Sequence, residues 1–217
     1  LEQVQSALRQ KFGGRITSYI YPDEETKRRF IGTGTTNIAK PWRKEIHLNS
    51  NSWSDVVKHE LVHVVAGEFG MPVIRAHYHI GLVEGLAMAV DDDFGNRTLN
   101  EYAATMKKFE IIKHPEQLVS PIGFATHSSS VSYVVMGSFI KYLINHDGMS
   151  KFKSLYGGIS VETVYEKSYD QLVDEWQSTL ERMSVPDSWR RQVDFYFRRP
   201  SIFAKECARA IAKQNEK

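Results

Sequence analysis

Along residues 53–66 the apolar positions Trp53, Val56, Val57, Leu61, Val64 and Val65 recur at three- and four-residue spacing, the period of a helix with one buried face. The spacing predicts a helix over Trp53–Ala66. Ser52 with Asp55 three residues on reads as a capping-box-like entry. Gly67 or Gly70 is expected to end the helix in a left-handed conformation, before Pro72 forbids continuation. A second apolar run, Ile80 to Val90, predicts another helix beginning near Ile80. Further helices are expected over Asn100–Ile112, Ser132–His146, Tyr169–Met183 and Ser201–Lys213. The stripe Met136, Phe139, Ile140 and Leu143 reads as a core face, and Ser168 with Gln171 as a second capping box. The first fifty residues read differently. Arg15–Tyr21 and Lys44–Leu48 are rich in residues that favour strands, with Gly32 and Gly34 between them, so a small sheet of extended structure is expected there. The class is therefore α+β, with a sheet lobe over 1–51 and a mainly helical lobe over 52–200.

Composition adds that this is an ordinary folded chain of 217 residues, long enough for one compact unit with a real core. A net charge of +2 gives no general attraction to nucleic acid. The basic run Lys27-Arg28-Arg29 reads as a solvated face. One cysteine, Cys207, excludes an internal disulfide and a cysteine-ligated metal. No stretch reaches the roughly 18 to 20 apolar residues of a membrane-spanning helix, so no membrane insertion by this segment is expected. The chain begins at Leu1 rather than Met, which leaves room for a signal peptide, anchor or further domain before it. An extracytoplasmic or membrane-anchored parent protein is the expected setting. Residues 201–217 resemble the first helix of a helical repeat, the start of a partner-binding array.

The chemistry lies in His59-Glu60-Leu61-Val62-His63, an HExxH pattern. On a helix, residues four apart share a face, so both imidazoles can point at one ion. Glu60, one position after the first histidine, can reach the open position of a catalytic zinc and act as general base toward a water there. The alternative is a pair of ordinary hydrogen-bonded histidines. Glu84 is the only ionisable group between Ile80 and Val90, and an ionised carboxylate in such surroundings costs several kcal/mol unless a partner compensates it. A divalent cation would do so, and Zn2+ is the expected cofactor. The alternative for Glu84 is a protonated or hydrogen-bonded core carboxyl.

HELVH followed by GLVEGLAMAV resembles the gluzincins, in particular peptidase MA-like domains related to thermolysin and the M1 aminopeptidases. The likeness continues through the run from Ser132 to Leu143 and on to Tyr169–Trp176, covering about residues 15 to 182. It implies a zincin-like fold in which a small sheet, an active-site helix beneath it and a helical C-terminal lobe form a cleft. It also implies zinc-dependent hydrolysis of peptide or protein substrates by a metal-activated water. His59, His63 and Glu84 would be the ligands and Glu60 the base. An edge strand would hold the substrate backbone; Gly32–Ala39 is the candidate, with Gly34, Thr35 and Thr36 at its centre, and a glycine turn is the alternative reading. The resemblance makes Tyr133 the candidate oxyanion donor, with Gly137 allowing its helix to approach the site. This chain departs from the aminopeptidase pattern Tyr-x-Lys-Gly, since Gly137 follows Tyr133 by four residues and the lysine is missing. His127, in the loop before that helix, is the other candidate for that role. His77, Tyr78 and His79 either line the cleft or form an exposed loop. Asp91, followed by Asp92 and Asp93, reads as a solvated helix end. No acidic anchor for a free substrate amine is found, so an endopeptidase is expected rather than an aminopeptidase. The rival is a non-catalytic peptidase-like interaction module with a structural zinc inside a larger protein. Zinc chemistry on a non-peptide substrate is a third reading.

Overall fold

The computed structural model describes residues 1–92, 96–112, 115–119 and 129–197. It is α+β. Strands β1 (Thr17–Tyr21), β2 (Ile38–Lys40) and β3 (Glu45–Asn49) form one sheet in the order β1-β3-β2. β3 pairs parallel with β1 and antiparallel with β2, which leaves β2 on an edge. Alternation along β3 sends Ile46 and Leu48 onto Val56 and Val64 of helix α3 (Trp53–Ala66).

The first fifty residues are less extended than expected. Helices α1 (Glu2–Ala7) and α2 (Glu24–Ile31) interrupt them. A parallel β1–β3 pair needs a crossover connection, and α2 lies in that connection. The Asp23 carboxylate accepts from the Thr26 amide at 2.7 Å, and Gly32 closes the helix in the left-handed region with φ 83°. The apolar period is hidden because Phe30 and Ile31 are its only large apolar residues. The α1 segment packs elsewhere: Val4 and Leu8 are buried in the helical body.

α3 has the expected bounds without the expected caps. Ser52 makes no side-chain cap bond, and Gly67 stays right-handed at φ −57° with its amide on the His63 carbonyl at 3.2 Å. The chain turns only at Gly70, which lies against the Arg75–Ala76 backbone. α4 (Ile80–Asp91) and α5 (Leu99–Lys108) follow, the latter held by a Thr98–Glu101 capping box and ending short of Ile112. Then come α6 (Ser129–Asp147), α7 (Met149–Tyr156), α8 (Val161–Tyr165), α9 (Tyr169–Glu181) and α10 (Trp189–Phe197). Ser168 and Gln171 form the reciprocal box that the sequence suggests. The sequence pattern does not anticipate α7, α8 and α10, and the expected helix Ser201–Lys213 lies outside the described residues. Among the described residues, no helix is long and apolar enough to cross a membrane.

Met136, Phe139, Ile140 and Leu143 are all buried, as their stripe predicts, and α6 packs along α4, with Met136 and Ile140 against Gly85. Two glycines set the approach. A Cβ at Gly137 would fall 2.7 Å from the Met88 Cβ, and one at Gly85 would fall 2.9 Å from both the Ile140 Cγ1 and the Met136 carbonyl oxygen. Those contacts are below any tolerated separation and involve backbone. Gly85→Ala is therefore expected to cost about 2 kcal/mol by overpacking, a fall in Tm of about 4–8 °C for a chain of this size. Thermal denaturation followed by circular dichroism checks it; an unchanged Tm would show that the two helices separate freely.

Candidate metal centre

α3 carries His59 and Glu60 on one turn and His63 on the next, and α4 brings Glu84 to the two histidines. The His59 Nε2 lies 3.1 Å from the Glu84 Oε2, and the His63 Nε2 lies 3.6 Å from the same oxygen. The imidazoles meet edge to face, with ring centroids 4.9 Å apart. Ligand atoms of all three lie within 4.8 Å of one another. Donors about 2.0–2.1 Å from a tetrahedral zinc stand roughly 3.3–3.4 Å from each other. The observed pairs bracket that spacing, and two imidazoles with one carboxylate are a donor set zinc accepts. The residues therefore fit the ion.

The electrostatics are those of a buried cluster. Burial alone would raise the Glu84 carboxyl, but the field and hydrogen bonds of the two imidazoles outweigh it and hold the group well below the usual carboxylate range. Burial works against protonating His63, and the adjoining Glu84 and nearby Glu60 carboxylates overcome it, so its pKa is raised. Glu60 is raised by burial, with His63 and His59 pulling partly the other way. The His63 Nδ1 is enclosed without a hydrogen-bond partner. Among the described residues, no carboxylate or carbonyl meets that nitrogen, where a metal-holding imidazole usually has one.

Tyr133 on α6 joins the site, its ring lying over the His59 imidazole at 6.2 Å and 22°. His127 lies outside the described residues. The segment nominated as the substrate edge is displaced: of residues 32–39, only Ile38 and Ala39 belong to β2. Gly34 is buried against Glu24, and its carbonyl is taken by the Asn49 side-chain amide at 2.8 Å. Thr35 and Thr36 precede the strand. The edge therefore begins at Ile38, because Asn37 and Asn49 tie the preceding turn into the fold. His77 is buried, pushed down to about 4 by burial and by His79, while Tyr78 is exposed, stacked on His77 and tilted against His79. Asp91 is not a solvated end: it is buried, and Lys58 donates to its carbonyl at 3.1 Å, tying α4 to α3 beside His59.

Lys27 corrects the reading of its basic run. Arg28 and Arg29 are exposed, but Lys27 is 0% exposed and donates to the Asn37 Oδ1 at 3.1 Å. Burial pushes its ammonium down to about 8, against the opposing pull of Glu60 and Glu24. Nothing in a Lys-Arg-Arg run marks the first cation as enclosed; the signal is the later Asn37 and Asn49, which only the fold brings near. Since the unfolded chain holds that proton up to roughly pH 10.4, it binds more protons than the folded chain between about pH 8 and 10.4, and stability rises across that window. Lys27→Met is expected to be more stable than the parent at pH 7 by on the order of 3 kcal/mol. That advantage should shrink to near zero by about pH 10.5. Urea titrations of both proteins across this range measure it; a gap independent of pH would assign the effect to packing.

No protein-family model matches the chain, and neither any curated protein nor any solved structure matches it.

Proposed function

We propose that the chain is a zinc-dependent endopeptidase of the gluzincin type, with a zincin-like fold. The observation that carries the reading is the convergence of the His59 and His63 Nε2 atoms on the Glu84 Oε2, at 3.1 and 3.6 Å, with Glu60 on the same helix. When bound there, zinc would supply Lewis acidity to a substrate carbonyl and lower the pKa of a water toward about 7. Glu60 then takes the proton of the attacking water and delivers it to the departing amine. Its raised affinity for protons suits a group that must both accept and release one. Tyr133, stacked over His59, is the candidate donor to the oxygen that becomes negative as the carbonyl is attacked. β2, which has a strand on one side only among the described residues and packs on α3, offers its other side to an extended peptide.

The test is to measure zinc per chain by mass spectrometry of the metal and cleavage of a peptide library, before and after chelation. Chelatable zinc together with chelator-sensitive cleavage is the expected result. Zinc without cleavage would select the non-catalytic interaction module. Failure to retain zinc at pH 8 would remove both readings.

A further inference from the structure

Two short turns meet at Gly67, where an added Cβ would lie 3.0 Å from the Pro41 Cβ and 3.2 Å from the Arg75 carbonyl oxygen. One is the 3₁₀ turn Pro41–Arg43, which presents Trp42 at 58% exposure. The other is the loop 71–76, whose tip holds Val73 at 87% and Ile74 at 42%.

That loop is tightly braced. The Met71 amide donates to the Ala76 carbonyl at 3.1 Å, the Arg75 amide to the Met71 carbonyl at 2.9 Å, and the Arg75 guanidinium to Glu68 at 2.8 Å. Val73 is held at φ 74°, a left-handed conformation that a β-branched residue seldom adopts. A braced backbone thus keeps branched apolar side chains pointing out from the surface.

Two cations meet on the carboxylate that braces this loop. Lys44 lies 3.9 Å from the Glu68 carboxylate that also holds Arg75, and Arg43 adjoins it in sequence, paired with Glu45 at 3.1 Å. Next to Glu68, Phe69 carries Lys153 over its ring at 5.0 Å, and Lys153 in turn donates to the Arg9 carbonyl at 2.8 Å. Four cationic side chains, those of Arg43, Lys44, Arg75 and Lys153, accompany two carboxylates in these contacts, on a chain whose net charge is only +2.

The geometry points to this face as a docking surface for an anionic lipid bilayer. A protruding aliphatic tip needs an occupant that yields around it, and the hydrocarbon edge of a bilayer does so. Trp42 sits where an indole prefers the headgroup level, and the cations match phosphatidylserine-like headgroups. Shallow insertion of Val73 and Ile74 requires no spanning helix.

Flotation of the full chain with phosphatidylcholine vesicles, with and without about 30 mol% phosphatidylserine, tests it. The expected result is association with the anionic vesicles alone, falling as salt approaches about 1 M, where the screening length is near 3 Å. Val73→Gly is expected to weaken partitioning roughly tenfold while keeping or raising Tm, because glycine takes this φ without strain. Trp42→Ala should weaken it as well. Equal partitioning of parent and Val73→Gly, absence of association at low salt, or binding to heparin without binding to vesicles would overturn the proposal. So would a dimer in light scattering that Val73→Gly dissociates, which would give the face to a second copy.

Discussion

Glu60→Gln is expected to keep its zinc and lose hydrolysis by about 10²–10⁴-fold in kcat, the span that a positioned general base contributes. Glutamine copies the shape of the side chain and cannot accept the proton. The atoms that could hold the metal belong to His59, His63 and Glu84, so the metal content should not follow the rate. The same substitution should not lower Tm. Burial raises the Glu60 carboxyl, which means that the fold bears a cost for the ionised form, and the neutral amide relieves it. Lower activity with equal or higher stability marks a residue kept for chemistry rather than for packing. Parallel kcat, zinc and Tm measurements decide it. If the variant turned over at the parent's rate, proton transfer would have to be assigned elsewhere.

Glu84→Gln should act on the metal instead. Loss of the only anionic member of the proposed ligand set is expected to weaken zinc binding by well over 10²-fold, beyond the roughly 10–100-fold typical of residues that merely orient a ligand. Competition with a chromophoric chelator measures it. Without metal, the same variant has a second signature. The depressed Glu84 carboxyl contributes stability above its ordinary pKa near 4.3, and that contribution is lost as pH falls. The raised His63 contributes stability below its ordinary pKa near 6.5, and that contribution is lost as pH rises through the folded value. The metal-free parent should therefore gain most from this cluster between about pH 4.3 and 6.5. Glu84→Gln should flatten that maximum in urea titrations. Zinc binding follows the opposite trend, strengthening as the imidazoles lose their protons.

How far the sequence discloses this arrangement depends on how local each cause is. The bounds of α3 follow from its period, and α4 from an apolar run broken only by Glu84, so the grouping of His59, His63 and Glu84 is legible before any coordinates. The Ser168–Gln171 box is likewise a contact between neighbours in sequence. The caps of α3 are not legible in the same way, because Ser52 and Gly67 take conformations set by the packing on either side of the helix. α2 escapes because it is set by the Asp23 cap and turns a lysine, not an apolar stripe, into the fold. β2 spans only three residues and is defined by pairing with β3, a partner that no local pattern reveals. Lys27 and Asp91 both look like surface charges, and only Asn37 and Lys58, far along the chain, show them to be enclosed.

α3 is flanked by two separate apolar clusters. Val56 and Val64 pack under the sheet, while Val62, Val65 and Ala66 belong to the helical body. Neither side can melt without stripping the other of its common wall. Heating should then produce one heat-absorption peak rather than two, and amide exchange along residues 57–66 should be as slow as the slowest in the protein.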